Sequence, residues 1–216
     1  SLGAQVKYGR VMEFRVDGLM GTTILLDEAS VTATENVLMA AVTAKGNTII
    51  RNAASEPHVQ EVCKILNQMG AKIKNIGSNT IHVEGVKQLH GTEYTIGSDL
   101  LEVISFVGAA AVTRGELRIR DAGVQHLEMI AQVFRRMGVT WDVEGNDILV
   151  SAVQSLNVVP DVDGAIPEIK TNVWPAFPTD LISIAITVAT QAAGSIPRRG
   201  ATSAMIISTG TTSWMS

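Results

Sequence analysis

From residue 22 to residue 86 the apolar positions switch back and forth between the period of a strand and that of a helix. The switches predict a strand at 23–26, a helix at about 31–44, a strand at 48–51, a helix at 59–69 and a closing hairpin. Residues 92–153 repeat that order: Gly46 matches Gly115, Met69-Gly70 matches Met137-Gly138, and Asn79-Thr80-Ile81 matches Asn146-Asp147-Ile148. The offset is about 68 residues, so the chain reads as a repeated βαβαββ unit.

The two kinds of helix differ. In the second helix of each unit, Val59, Val62, Cys63, Leu66 and Met69 match Leu127, Ile130, Ala131, Phe134 and Met137, an amphipathic spacing with one dry face. The first helices are apolar nearly all round, as in 37–42, 104–112 and 182–189, and a helix without a polar face has to be enclosed. Strands such as Leu117-Arg118-Ile119-Arg120 alternate, which gives each sheet one dry and one wet face. The expected class is α/β (α+β), with sheets and amphipathic helices wrapped around a bundle of apolar helices. Cys63 aligns with Ala131, so its position asks for a small apolar residue and not for a reactive thiol.

The chain enters and leaves in mid-repeat. Val16-Asp17-Gly18 echoes Val83-Glu84-Gly85, so residues 5–16 read as the closing hairpin of an earlier unit. A third unit opens at about Glu168, enters its helix at Asp180 and runs to 196, whereas 197–216 carries no recognisable amphipathic helix and is left unassigned. The leading hairpin and the trailing half unit are complementary, and pairing of 5–16 with 168–174 would close them into one globule.

Composition narrows the function classes. With 46% hydrophobic and 18% charged residues the chain is expected to fold, and a net charge of −4 without any Lys/Arg run argues against nucleic acid as a partner. The longest nearly uncharged apolar segment, 181–193, is shorter than the roughly 20 residues of a membrane helix, and no secretory signal opens the chain. A cytoplasmic protein is expected, which the single cysteine fits. No metal-ligand cluster and no cofactor motif is present, and His58 and His126, which share a repeat position, are read as surface residues.

The candidate chemistry is acidic. In Trp174-Pro175-Ala176-Phe177-Pro178-Thr179-Asp180 the two prolines hold back an early helix, which leaves Asp180 at a helix mouth. There it either caps the helix or offers a carboxylate for catalysis. Asp99 has the same choice at the preceding unit's first helix. Glu56 aligns with Val124, so the repeat itself demands no acid there. The turn Glu28-Ala29-Ser30-Val31 precedes an apolar helix whose open N–H groups suit an anionic ligand.

Taken in order, LLDEASVTATENVLMAAV, IIRNAASEPHV, LNQMGAKI, IHVEGV, LHGTEYTI and WPAFPTDL closely resemble the UDP-N-acetylglucosamine enolpyruvyl transferases, and the similarity runs over 6–195. The resemblance implies an inside-out α/β barrel of βαβαββ units in two domains. Residues 1–95 would then end one domain and 96–196 begin the next, with the crossing at 96–98. It also implies transfer of the enolpyruvyl group of phosphoenolpyruvate to the 3′-hydroxyl of UDP-N-acetylglucosamine in peptidoglycan synthesis, with these two compounds as substrates. Asp180 of the FPTD motif becomes the base that takes the hydroxyl proton and also holds the sugar. Glu56 and Asp99 are carried to the active cleft, and Glu28, Ala29, Ser30 and Val31 to the nucleotide sugar. Some members have a basic residue at the Glu28 position, so the implied contact there is through the backbone.

The family's Lys-Asn pair, cysteine loop and phosphoenolpyruvate-clamping arginines have no match in these 216 residues. Two anionic substrates need cations to share a site, so this chain alone is expected to give no appreciable turnover, and open apolar ends are expected to favour a homo-oligomer. The alternative reading is a non-catalytic βαβαββ module that serves as a binding or assembly scaffold.

Overall fold

A short hairpin opens the structure, a computed structural model that describes residues 2–165, 167–200 and 203–208. Strands β1 (Gln5–Lys7) and β2 (Glu13–Arg15) pair antiparallel, with Val6 opposite Phe14. The chain divides into two units, Ser1–Ile96 and Gly97–Ser216.

In the first unit β3 (Thr23–Leu25), α1 (Val31–Ala41), β4 (Asn47–Arg51), α2 (Pro57–Gln68), β5 (Lys72–Lys74) and β6 (Thr80–Glu84) follow the order expected from the periodicity. The sheet order is β3-β4-β6-β5. Crossing over through α1 makes β3 and β4 parallel, and the remaining pairs are antiparallel. Ile50, Ile73, Ile81 and Val83 meet Leu38, Ala41, Val59, Cys63 and Leu66 in one core, while Arg51, Lys72, Lys74 and His82 face water. Gly85 closes the unit against 44–46: a Cβ there would run into the Ala44 carbonyl, and the Gly85 N–H donates to Gly46 O at 2.9 Å.

The second unit holds α3 (Leu100–Thr113), β7 (Leu117–Ile119), a 3₁₀ turn (Val124–His126), α4 (Glu128–Arg135), β8 (Asp142–Glu144) and β9 (Asp147–Val150). These are followed by β10 (Ile169–Lys170), a 3₁₀ turn (Thr179–Leu181), α5 (Ile182–Ala189), β11 (Ser195–Gly200) and β12 (Ser203–Ser208). Its sheets are β7-β9-β8, all antiparallel, and β10-β11-β12, in which β10 and β11 are parallel across α5 as β3 and β4 are across α1. Strands thus extend into the segment left unassigned from sequence. Residues 201–202 and 209–216 lie outside the described residues.

Two expectations are corrected, and the enclosure of the first helices is met only in part. The strand expected ahead of α3 does not form, because residues 90–94 are bound to α2 instead: His90 N–H donates to Met69 O at 2.9 Å, and Gln68 Nε2 to Glu93 O at 2.9 Å. The apolar first helices are not enclosed all round. Met39 on α1 is 53% exposed and Phe106 on α3 is 51% exposed, and none of the four sheets closes into a barrel among the described residues. The hairpin β1–β2 pairs with itself and β10 pairs with β11, so the two do not complete a unit by circular closure.

Candidate functional site

Two loops at the carboxyl ends of β3 and β4 carry the candidates of the first unit. Ser30 is the N-cap of α1: its Oγ accepts from Ala33 N at 3.3 Å and its carbonyl accepts from Thr34 N at 3.0 Å. The first helical N–H groups, of Val31 and Thr32, are left without an intrahelical acceptor. Glu28 is exposed, and Ala29, Ser30 and Val31 are half-buried.

The facing loop, 52–56, is pinned at each step. Asn52, in the left-handed region at φ 56°, donates from Nδ2 to Leu26 O at 3.0 Å. Ala53 N–H donates to Asn79 O at 3.0 Å, Ala54 N–H to Thr34 Oγ1 at 2.9 Å, and Gln60 Nε2 to Ser55 O at 2.8 Å. Glu56 takes the N-cap position of α2 without making a side-chain cap bond, and its buried Oε2 has no hydrogen-bond partner among the described residues. Residues 28–31 and Glu56, 25 positions apart in sequence, are therefore tied to one end of the unit. Thr34, which sequence reasoning passed over, makes the tie; the signal that could have found it is a threonine on the dry face of α1.

In the second unit the segment before α5 is held by two buried anchors, Phe177 at 1% exposure and Leu181 at 0%. Between them Asp180 is exposed on the 3₁₀ turn Thr179–Leu181, and neither that turn nor α5 receives a side-chain cap bond. Among the described residues the carboxylate makes no cap bond. Asp99 does cap: it is the N-cap of α3, and its Oδ1 accepts from Leu101 N at 2.8 Å. The two acids thus differ in local role, despite their matching places in the repeat.

The reading of His126 as a surface residue is corrected. It is half-buried, with its ring edge-on to Trp174 at 6.0 Å between centroids, so it braces the first residue of the Asp180 loop. His58 is exposed. Cys63 is fully buried, and burial, with a smaller contribution from the Glu35 charge, pushes its thiol pKa up to about 11. A thiol so shifted is no nucleophile at neutral pH. Among the described residues no group of three or more His, Cys, Asp or Glu is placed to hold a metal ion, and no helix is long and apolar enough to cross a membrane.

Most of the chain aligns with proteins of known name. UDP-N-acetylglucosamine 1-carboxyvinyltransferase of Treponema pallidum is 53% identical over 196 residues, covering 91% of this chain and 46% of the relative. The enzyme of the same name from Bacteroides fragilis is 46% identical over 199 residues, again covering 91% of this chain and 46% of its own length. The chain therefore spans about half the length of the curated relatives it matches. Among solved structures, the enolpyruvyl transferase NikO from Streptomyces tendae superimposes with a TM-score of 0.79 at 21% identity, over 93% of this chain and 49% of that one, a likeness of fold. Residues 1–203 match the family described as EPSP synthase (3-phosphoshikimate 1-carboxyvinyltransferase), and the chain belongs to that family.

Proposed function

We propose that this chain forms part of an enzyme that transfers the enolpyruvyl group of phosphoenolpyruvate to the 3′-hydroxyl of UDP-N-acetylglucosamine. The identities of 46–53% to proteins named for that nucleotide sugar support the substrate. The first unit ends one inside-out domain and the second begins the next, and the exposed faces of α1 and α3 belong to helix bundles that are completed in the whole protein.

The reaction asks for a base near an alcohol. As the 3′-oxygen bonds to C2 of phosphoenolpyruvate, its proton must pass to an acceptor while C3 gains a proton from an acid. Loss of a proton from C3 and expulsion of phosphate from C2 then restore the double bond. Asp180 takes the hydroxyl proton and orients the sugar. The observation that carries this assignment is an exposed, uncapped carboxylate fixed between two buried anchors. The turn 28–31 binds the nucleotide sugar through its backbone, with Glu56 on the facing loop of the same unit, and Asp99 is a substrate contact of the second unit.

Titration calorimetry of the chain with UDP-N-acetylglucosamine tests this reading. Binding that falls at least tenfold in Asp180→Asn, with an unchanged circular-dichroism spectrum, supports it, since a hydrogen bond to a charged group contributes about 1.5–3 kcal/mol. The cations that hold phosphoenolpyruvate are expected outside this chain, so a coupled phosphate-release assay on it should show no turnover. Nucleotide-sugar binding unaffected by Asp180→Asn removes Asp180 from the site, and no binding at all favours the scaffold reading.

A further inference from the structure

We infer that Thr34 is a positioning residue for the nucleotide-sugar site, its buried hydroxyl setting the turn 28–31 against the loop 53–56; the inference rests on the reading of those segments as substrate-binding. Thr34 is 0% exposed. Its Oγ1 donates to Ser30 O at 2.7 Å, the back-bond that helical threonines commonly make. The second bond is of another kind. Ala54 N–H, itself buried, donates to the same oxygen at 2.9 Å across 20 positions of sequence. One hydroxyl, used as donor and acceptor together, thus bridges the two loops that carry the candidate contacts.

The repeat separates this task from the needs of the fold. Counted from the N-caps Ser30 and Asp99, Thr34 corresponds to Val103, which is also buried. Packing at that position accepts an apolar β-branched side chain. Ala54 corresponds to Gly123, which lies at φ 64° and leads into the 3₁₀ turn Val124–His126, and Glu56 has no acidic counterpart there. The hydroxyl therefore goes with the loop conformation that presents Glu56. Where the loop takes another course, a valine suffices.

Thr34→Val makes the exchange that the repeat itself contains, and it leaves the Ala54 N–H buried without an acceptor. By hydrogen exchange, the Ala54 amide should lose at least tenfold of its protection. By calorimetry, the affinity for UDP-N-acetylglucosamine should fall about tenfold, while Thr34→Ser keeps both near the values of the unaltered chain. A merely structural role would lower the melting temperature of Thr34→Val and leave affinity untouched, and that result overturns the proposal. So does a tenfold loss of affinity in Thr34→Ser, which retains the hydroxyl and serves if Thr34→Val does not fold. Absence of binding in the unaltered chain overturns the substrate reading and the positioning role with it, whereas binding that Thr34→Val leaves intact overturns the role of Thr34 alone.

Discussion

Helices α1 and α3 hold the same place in two copies of one unit, yet the sequence gives them different neighbours. Aligned from their N-caps, Met39 of α1 falls opposite Gly108 of α3. Met39 is 53% exposed, whereas Gly108 lies against α5, where a Cβ would come within 2.8 Å of Ile184 Cγ2. A close helix crossing needs a small residue, and an open face does not. The loops diverge in the same way: Glu56 and its pinned approach in one unit, a left-handed Gly123 and a 3₁₀ turn in the other. What the copies share is scaffold. Ala53 N–H donates to Asn79 O at 3.0 Å, and Ala122 N–H donates to Asn146 O at 2.8 Å, the same bond at matching positions. The candidate chemistry sits in the residues that differ between the copies.

The largest expected effect tests the loop ahead of α5. Phe177→Ala removes a side chain 1% exposed and should cost about 3–5 kcal/mol in a denaturant titration of the second unit. Asp180 should lose its fixed position with it. Next comes the crossing: Gly108→Leu drives atoms into Ile184 and should cost about 1–3 kcal/mol by thermal unfolding. A neutral result would show that α3 and α5 can part without penalty, and the contrast with α1 would lose its meaning.

Cys63→Ala installs the residue the other copy has at Ala131 and should cost about 1 kcal/mol or less, because both positions want a small apolar group. The thiol offers a pH test with a definite sign. Its folded pKa of about 11 lies above the ordinary value of 9.0. The stabilisation from keeping the thiol neutral is therefore full below about pH 9 and is lost as the pH rises through about 11. Thiol reagents should leave Cys63 unmodified in the folded chain at pH 8 and label it fully in guanidinium. The smallest effect belongs to Met39→Gln, which should change stability by no more than about 0.5 kcal/mol on an exposed helix face. A larger loss would mean that another surface covers that face.

The elements of the first unit were legible because their signal is local. Alternation marks β6, and the spacing of Val59, Cys63 and Leu66 marks α2, since each follows from how a strand or helix turns its side chains towards one core. The repeat was legible for the same reason. Asp99 and Asp180 look alike as sequence, each ahead of an apolar helix. Only the folded chain separates them, with one bound to Leu101 N and the other uncapped on a 3₁₀ turn.

Local patterning was blind to the strand missing ahead of α3, because residues 90–94 were taken by α2, and to His126, whose surface face proved to be Trp174. The amino-acid order was enough to set the βαβαββ rhythm and the family, because periodicity and motif are properties of neighbouring residues. Which acid caps a helix, which hydroxyl joins two loops and which helix face stays open were decided by packing. The last two rest on hydrogen bonds and close contacts between residues tens of positions apart, whose partners no local pattern names, and the first on whether the chain beside the acid turns a backbone N–H towards it.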